Sequence, residues 1–580
     1  LGVPQVRAVW LLLLAGSAAA LFLYRPAGYN TRHPSVWTWF SHESAADRSE
    51  AEPCGPCLAA AGWVVLALGA LVLAVLALVA LAAPPNNYDS MTYHLPRVMH
   101  WLQDRNLRHY PTNVVRQLYL GPGAEFLLLH AYALYSGDRL VNLVQWTALL
   151  GSAAGASLIA ARLGASRRGQ VLAAVAGLTI PMALLQATST QNDLVTSLWV
   201  VIGVCALAEL AAADRDRRTV LWLSALAAGA ALGLAALTKA TAAAFLLPFI
   251  AAALTRVLLR HRWRSAGPIA ALVACALLLN AGHWSRNNRA FGHCLGPADE
   301  LVQYQNPHIT PPVVAANLLY DLGQEVTNPL LDVRTPTCRF LARAYARLGV
   351  APDPAVTFGG SDHFVISPRW HSEDYAGNTL HLILFTLAAL VMLVRFRRIR
   401  RELWLFGALA LAGLVLYAGL FRCQIWGTRL TLPWFVLGAA AVGAVLDGPR
   451  LRWASALLAV GLLLTTIPWL VGNQVRPLTG PASILKRDRG QMLFYSNPDG
   501  KRLRTTYQQI AQVIRTRHLQ RVGLAAGPDA YEYPLWALLQ DGGRPICRIE
   551  HVGVTNASAP LAQEPPFADF TPDVQINMAP

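Results

Sequence analysis

Charge is scarce in this chain. Lys, Arg, Asp and Glu make up 14% of its 580 residues and 54% are hydrophobic, whereas an ordinary soluble domain carries roughly a quarter charged residues. That balance excludes a soluble enzyme and predicts an α-helical polytopic membrane protein. Acids are scarcer still, 32 Asp+Glu against 48 Lys+Arg. The excess does not imply nucleic acid, because much of it falls in short loops between apolar runs, where the positive-inside tendency places arginine. Also missing are a GxxxxGK[ST] phosphate loop, a pair of CxxC motifs at zinc spacing and any internal repeat. An ATP-driven or nucleotide-sugar reaction is therefore not expected. One CGPC (Cys54, Cys57) has no βαβ pattern around it and stands as a chance match.

What is present is a series of apolar runs. A helical span needs about 20 apolar residues. Candidates lie near 9–24, 61–83, 141–162, 171–187, 194–212, 219–237, 240–258, 267–284, 378–395, 403–421, 430–446 and 453–472, about twelve in all. Val9 to Tyr24 reads as a retained span, since Tyr24, Arg25 and Pro26 follow it in place of a small-residue cleavage site. Arginines crowd every second connection: Arg162 to Arg168, Arg215 to Arg218, Arg256 to Arg264, Arg395 to Arg401, and Arg450 with Arg452. Those loops are expected in the cytoplasm. The intervening ones, chiefly 84–139 and 285–377, are then extracytoplasmic, as is everything after Gly472. Residues 1–472 form the expected membrane domain and 473–580 a small extracytoplasmic α/β domain. Its helix is expected over TTYQQIAQVIRTRHL and its strands near RVGLAAG and Ile546 to Val554, with a loosely ordered tail after Ala559.

The densest polar chemistry follows the second apolar run, in PPNNYDSMTYHLPRVMHWLQDRNLRHYPTNVVRQLY (Pro84 to Tyr119). Asp89 opens a helix expected over Ser90 to Asp104. It can be an N-cap worth about 1 kcal/mol or a general base for an attacking hydroxyl. His94 and Arg97, in the same stretch, are candidates for sugar or acceptor binding. Asp193, in TSTQNDLVTS, poses the same choice between cap and catalyst. Lys239 sits in a tight turn between two apolar runs, where it can snorkel or meet a phosphate. Arg286, Arg289, Arg422 and Arg429 stand on the outer side against the positive-inside tendency, which makes a bound anion the alternative to solvation. His371, Glu373 and Asp374 precede the ninth span and are weak candidates for a divalent metal. Cys294 and Cys338, alone in the large outer loop, are expected to pair as a disulfide.

An acid in the first outer loop, a second acid in TQNDLVTS, and LAALTKATAAAFLLP, in this order and sidedness, resemble the GT-C superfamily of polyprenyl-phosphate-dependent glycosyltransferases. The nearest group is that of the protein O-mannosyltransferases and the lipid A aminoarabinose transferase. The resemblance runs from Tyr88 to about Phe435. It implies a GT-C-like fold, a catalytic Asp89, a second functional acid at Asp193 and a functional lysine at Lys239. Many members carry two adjacent acids in the first loop, whereas Ser90 follows Asp89 here. The expected activity is transfer of a sugar from a polyprenyl phosphate or diphosphate to an acceptor outside the membrane, with inversion. Lys239, Arg286, Arg422 and Arg429 would hold the phosphate. No cofactor is required by the residues beyond a possible divalent metal, and the partners are lipids. The alternative is a secondary transporter, which the paired broken helices of that class would support; no such pair is evident.

Overall fold

In a computed structural model the protein is described over residues 56–214, 216–327, 333–351, 366–448 and 451–578. The expected first span and Cys54 lie outside these residues. Each remaining apolar run carries helix. The bundle comprises α1 (Pro56–Ala82), α2 (Leu143–Arg162), α3 (Arg167–Leu178), α4 (Asp193–Ala212), α5 (Arg218–Thr238), α6 (Ala242–His261), α7 (Ala266–Phe291), α8 (Thr379–Val394), α9 (Arg401–Leu420), α10 (Leu432–Val445) and α11 (Arg452–Leu464). Among the described residues seven stretches are long and apolar enough to cross a membrane, with α8 and α10 shorter apolar helices. The run near 171–187 is not one helix. It breaks before Pro181, which has no N–H to continue the ladder, and resumes as Pro181–Gln186.

One of the seven stretches, Ala242–Phe291, is 50 residues long. At 1.5 Å per residue that is about 75 Å, more than twice a bilayer core of about 30 Å. The chain reverses inside it at a tight turn, Arg262–Ser265, where Arg262 has φ 52°. Glycines then set the packing. A Cβ on Gly229 would strike the Leu272 carbonyl, and one on Gly233 would lie 3.0 Å from Ala276 Cα. The contacts ascend together, so α5 and α7 run parallel with their backbones in close approach, and α6, which joins them in sequence, runs back the other way. This is small-residue packing of the GxxxG kind.

The connections sort into two groups. At one end Arg162 pairs with Glu209, Arg260 with Asp214, and Ser166 with Asp447. At the other end lie the C-terminus of α1, the N-termini of α4, α6, α8 and α10, and the C-terminus of α5. One continuous apolar cluster runs between them through the bundle.

Above the second end, the first loop folds as a helical turn at Ser90–His94, a helix at Leu95–Asp104 and another at Gly123–Tyr135. Residues 521–578 form a parallel sheet in the order β2-β1-β3, with β1 Arg521–Ala526, β2 Arg548–His551 and β3 Val574–Met578. The helix Gly500–Thr516 buries Tyr507, Ala511 and Ile514. Met91, Leu95 and Val98 of the first loop share one core with Val522, Leu524 and Trp536 beside the sheet.

Two expectations are corrected. The tail after Ala559 is ordered through β3, because Val574 to Met578 pair with Val522 to Ala526 and bury Ile576 and Met578. Cys294 and Cys338 are free thiols. They belong to different packing units: Cys338 packs beside Tyr320 and Leu341, while the Cys294 carbonyl accepts from Asn287.

Candidate active site

Asp89 lies just beyond α1, where Asn87, not Asp89, accepts the N–H of Ser90 (2.7 Å). Asp89 itself makes no capping hydrogen bond, so the cap reading fails for a local reason: the neighbouring amide side chain has taken the donor. The turn that follows is π-helical, with the Leu95 N–H bonded to the Ser90 carbonyl five residues back. Such turns are rare and recur at functional sites. The Asp89 carboxylate is therefore available, and its Oδ2 lies 2.6 Å from Arg429 Nη1. The same nitrogen is 3.2 Å from Asp374 Oδ1, and Asp374 also accepts from Gln191 Nε2 (2.8 Å). Arg429 is thus the bridge between two acids from opposite halves of the chain.

Burial alone would raise the Asp89 carboxyl. The Arg429 charge, aided by His94 and Arg116, outweighs it and holds Asp89 well below the usual carboxylate range. Asp374 goes the other way: burial raises it, and the neighbouring Asp89 charge adds to the rise against Arg429. The two acids therefore have separate protonation habits while sharing one cation. Beside them Lys239 Nζ donates to Asn192 Oδ1 (3.2 Å) and to the buried Asp193 Oδ1. Burial lowers the Lys239 ammonium in spite of Asp193. Lys239 feels the charges of both Arg429 and Asp89, so Asp89, Asp193, Lys239, Asp374 and Arg429 make one electrostatic cluster at the ends of six apolar helices.

The other sequence candidates go elsewhere. Arg97 is buried: it pairs with Glu125 (3.1 Å) and donates to the carbonyls of Arg116 (3.0 Å), Leu120 (2.9 Å) and Gln117. Its role is to hold the 116–120 segment. His94 leans on the same Glu125 (3.0 Å), near enough to Asp89 to act on its charge but with its Nδ1 engaged. Arg422 donates to the Gln305 carbonyl (2.9 Å) and tethers the large loop. Arg286 lines a separate cleft with Arg97, His109 and His283, its buried Nε without a hydrogen-bond partner.

The proposed metal ligands also diverge. Glu373 pairs with the buried Arg476, Asp374 joins the Arg429 cluster, and His371 packs against Trp370. Among the described residues one group of three ligating side chains does converge, His100, Glu532 and His551. It is a hydrogen-bond network. Glu532 accepts from His100 (2.9 Å), His551 (3.1 Å), Gln117 (2.6 Å) and Trp536 (2.8 Å), which fills the four lone-pair sites of a carboxylate. His551 Nδ1 faces the Asn113 N–H (3.2 Å), which leaves Nε2 toward Glu532.

Residues not singled out by sequence complete the site. Tyr93 is buried beside Asp89, whose charge adds to burial in raising the phenol. Arg116 stacks over the rings of Tyr88 (5.8 Å) and Tyr93 (5.7 Å) and pairs with Asp529. Tyr304 and Tyr375 lie within electrostatic reach of Asp89. A "YD" pair beside an apolar run was the one linear sign of this aromatic lining.

No protein-family model and no curated protein matches the chain. Among solved structures it is similar to ArnT from Cupriavidus metallidurans bound to undecaprenyl phosphate, at 16% identity and TM-score 0.49 over 87% of this chain and 88% of that one. It is also similar to the apo state of that protein, at 16% identity and TM-score 0.39 with the same coverage. A third is the archaeal oligosaccharyltransferase AglB from Archaeoglobus fulgidus in complex with an inhibitory peptide and a dolichol-phosphate, at 14% identity and TM-score 0.38 over 83% of this chain and 64% of that one. The solved structures that this chain is similar to are members of the GT-C superfamily, whose motifs its sequence resembles.

Proposed function

We propose that this protein is a membrane glycosyltransferase that moves a sugar from a polyprenyl phosphate or diphosphate to an acceptor hydroxyl on the extracytoplasmic side. The observation that carries the reading is the Asp89–Arg429–Asp374 bridge (2.6 and 3.2 Å) beside Lys239, at the end of the bundle away from the arginine-rich loops. A lipid carrier reaches such a site with its chain among the helices and its phosphate at their ends.

In the transfer, the acceptor oxygen attacks the anomeric carbon, the bond from that carbon to the phosphate oxygen breaks, and the phosphate leaves with the electron pair. Arg429 and Lys239 stabilise the charge that develops on it. The acceptor proton goes to a carboxylate. An acid held far below its usual range is a weak base, since efficiency is best with a pKa near the working pH. Here the substrate supplies the remedy: a phosphate that engages Arg429 relieves its hold on Asp89, whose basicity then rises. Asp374, the acid that binds a proton more readily, is the partner able to relay it. Arg429 lies between the two acids and neutralises both. One attack at one face implies inversion.

The test is mass spectrometry of lipid co-purifying with the protein, followed by transfer from the identified sugar lipid in detergent. A polyprenyl-phosphoryl sugar, and turnover lost on Asp89→Asn, is the expected result. A protein that carries no such lipid and transfers no sugar from any supplied polyprenyl-phosphoryl sugar overturns the reading.

A further inference from the structure

The sheet of residues 521–578 touches the site directly. Its strands are parallel, β1 lies in the centre, and the chain leaves β1 for β2 on one side before crossing to β3 on the other. The carboxyl end of such a central strand is where parallel sheets hold ligands. In this protein the segment leaving β1, Gly527 to Glu532, lies against the turn that carries Asp89. The Glu532 N–H donates to the Met91 carbonyl (3.0 Å), two residues past Asp89. The Tyr507 hydroxyl holds the Tyr531 carbonyl (2.7 Å), and the Glu532 carboxylate is locked by the four donors described above. A loop fastened at consecutive residues is preorganised.

Two side chains project from this fastened loop toward the site. Tyr531 meets the Tyr88 ring edge-on, with centroids 5.9 Å apart, and lies within electrostatic reach of both Asp89 and Asp374. Asp529, half-exposed, pairs with Arg116, whose guanidinium also donates to the Pro528 carbonyl (3.1 Å) and covers Tyr88 and Tyr93. Aromatic faces beside an acid and a guanidinium suit a hydroxyl-bearing ring: the C–H face packs on tyrosine and the hydroxyls bond to the charged pair. Every other group of the site comes from the bundle and its loops.

We propose that this loop forms the specificity wall of the site, with Tyr531 and Asp529 selecting the sugar ring that occupies it. The inference rests on the glycosyltransferase reading. The ring belongs either to the donor lipid or to the acceptor, and the experiment separates them. Wild type, Tyr531→Ala, Tyr531→Phe and Asp529→Asn are compared in detergent for binding of a panel of polyprenyl-phosphoryl monosaccharides, of polyprenyl phosphate without sugar, and of methyl glycosides.

The expected result is that Tyr531→Ala and Asp529→Asn each reduce the preference among sugars at least tenfold, while binding of polyprenyl phosphate is unchanged. Tyr531→Phe, which keeps the ring, retains most of the preference and controls for folding. Loss confined to the sugar lipids assigns the wall to the donor, and loss confined to methyl glycosides assigns it to the acceptor. If wild type discriminates and both variants discriminate equally well, this inference falls and the glycosyltransferase reading stands. If wild type distinguishes neither among the sugar lipids nor among the methyl glycosides, and transfers no sugar from any of the lipids, both fall together.

Discussion

Asp89 Oδ2 lies 2.6 Å from Arg429 Nη1, across 340 residues of chain. The ion pair joins the end of α1 to the segment that leads into α10, and it sets the electrostatic state of the proposed catalytic carboxylate. Removing the cation must let the Asp89 carboxyl return upward, since Arg429 is the largest influence holding it down against burial. Arg429→Gln is therefore expected to move the acid limb of the pH–rate profile to higher pH, together with weaker binding of polyprenyl phosphate. An acid limb that does not move would mean that Asp89 is not the group titrating in turnover.

Asp89→Asn separates chemistry from folding less cleanly than a cap would allow. Asp89 makes no capping bond, so nothing is lost there, but Arg429 keeps only Asp374 as an anionic partner. Destabilisation of about 1–3 kcal/mol is expected, the range for a charged hydrogen-bond partner removed from a largely buried site. Turnover is expected to fall about 10²- to 10⁴-fold. Melting temperature and transfer rate, measured on the same preparation, check both, and unchanged turnover would leave Asp89 a structural counter-ion.

The sequence carried much of this site. Asp89, Asp193, Lys239 and Arg429 were legible because a charge at the end of an apolar run must stay near the run's end, and alternating loops bring such ends together. Position around the bundle is not written in the same signal. Arg286 and Arg422 have the same linear setting as Arg429, yet they face another cleft and a loop carbonyl. Asp374 was noticed as a metal ligand because its neighbours are His371 and Glu373; in space those three part ways. In NNYD no local rule tells which polar side chain caps, and Asn87 does. β3 was missed because a five-residue strand in a polar tail shows itself only through its partner, β1, about 50 residues earlier.

Asp193 is buried and pairs with the partly buried Lys239. Either single substitution strands the other charge, so Asp193→Asn and Lys239→Met should each cost more than the double variant implies by addition. A coupling energy of about 0.5–3 kcal/mol is expected from a double-mutant cycle in melting experiments. Additive losses would show that the two groups act separately.

The parallel packing of α5 on α7 depends on bare backbone. A Cβ at Gly233 would lie 2.9 Å from Leu279 Cδ1 and 3.0 Å from Ala276 Cα, and one at Gly229 would meet a carbonyl oxygen directly. Gly229→Val is expected to destabilise by about 1–3 kcal/mol, the usual cost of overpacking, and Gly233→Ala by less, because the Leu279 side chain can move. Unfolding followed by detergent titration reads both. Equal tolerance at the two positions would mean that the helices do not meet as closely as described.

The His100–Glu532–His551 network sets a pH window for holding the specificity wall in place. Burial would lower His100, but Glu532 raises it above its ordinary 6.5; its contribution is full below that value and is lost as pH rises through the raised one. Burial would raise Glu532, but the two histidines bring it well below its ordinary 4.5. Its contribution is therefore present above 4.5 and disappears as pH falls through the lowered value. Stability from the network should be greatest between these limits, from about pH 4.5 to 6.5 on ordinary side-chain values, and should decline on both sides. His100→Gln keeps a hydrogen-bond donor toward Glu532 but cannot titrate, so its melting temperature should lose the alkaline decline while keeping the acid one. Hydrogen exchange of residues 527–532 should follow the same pattern, opening first at high pH in the wild type. A variant whose alkaline decline matches the wild type would place the titrating group elsewhere in the sheet.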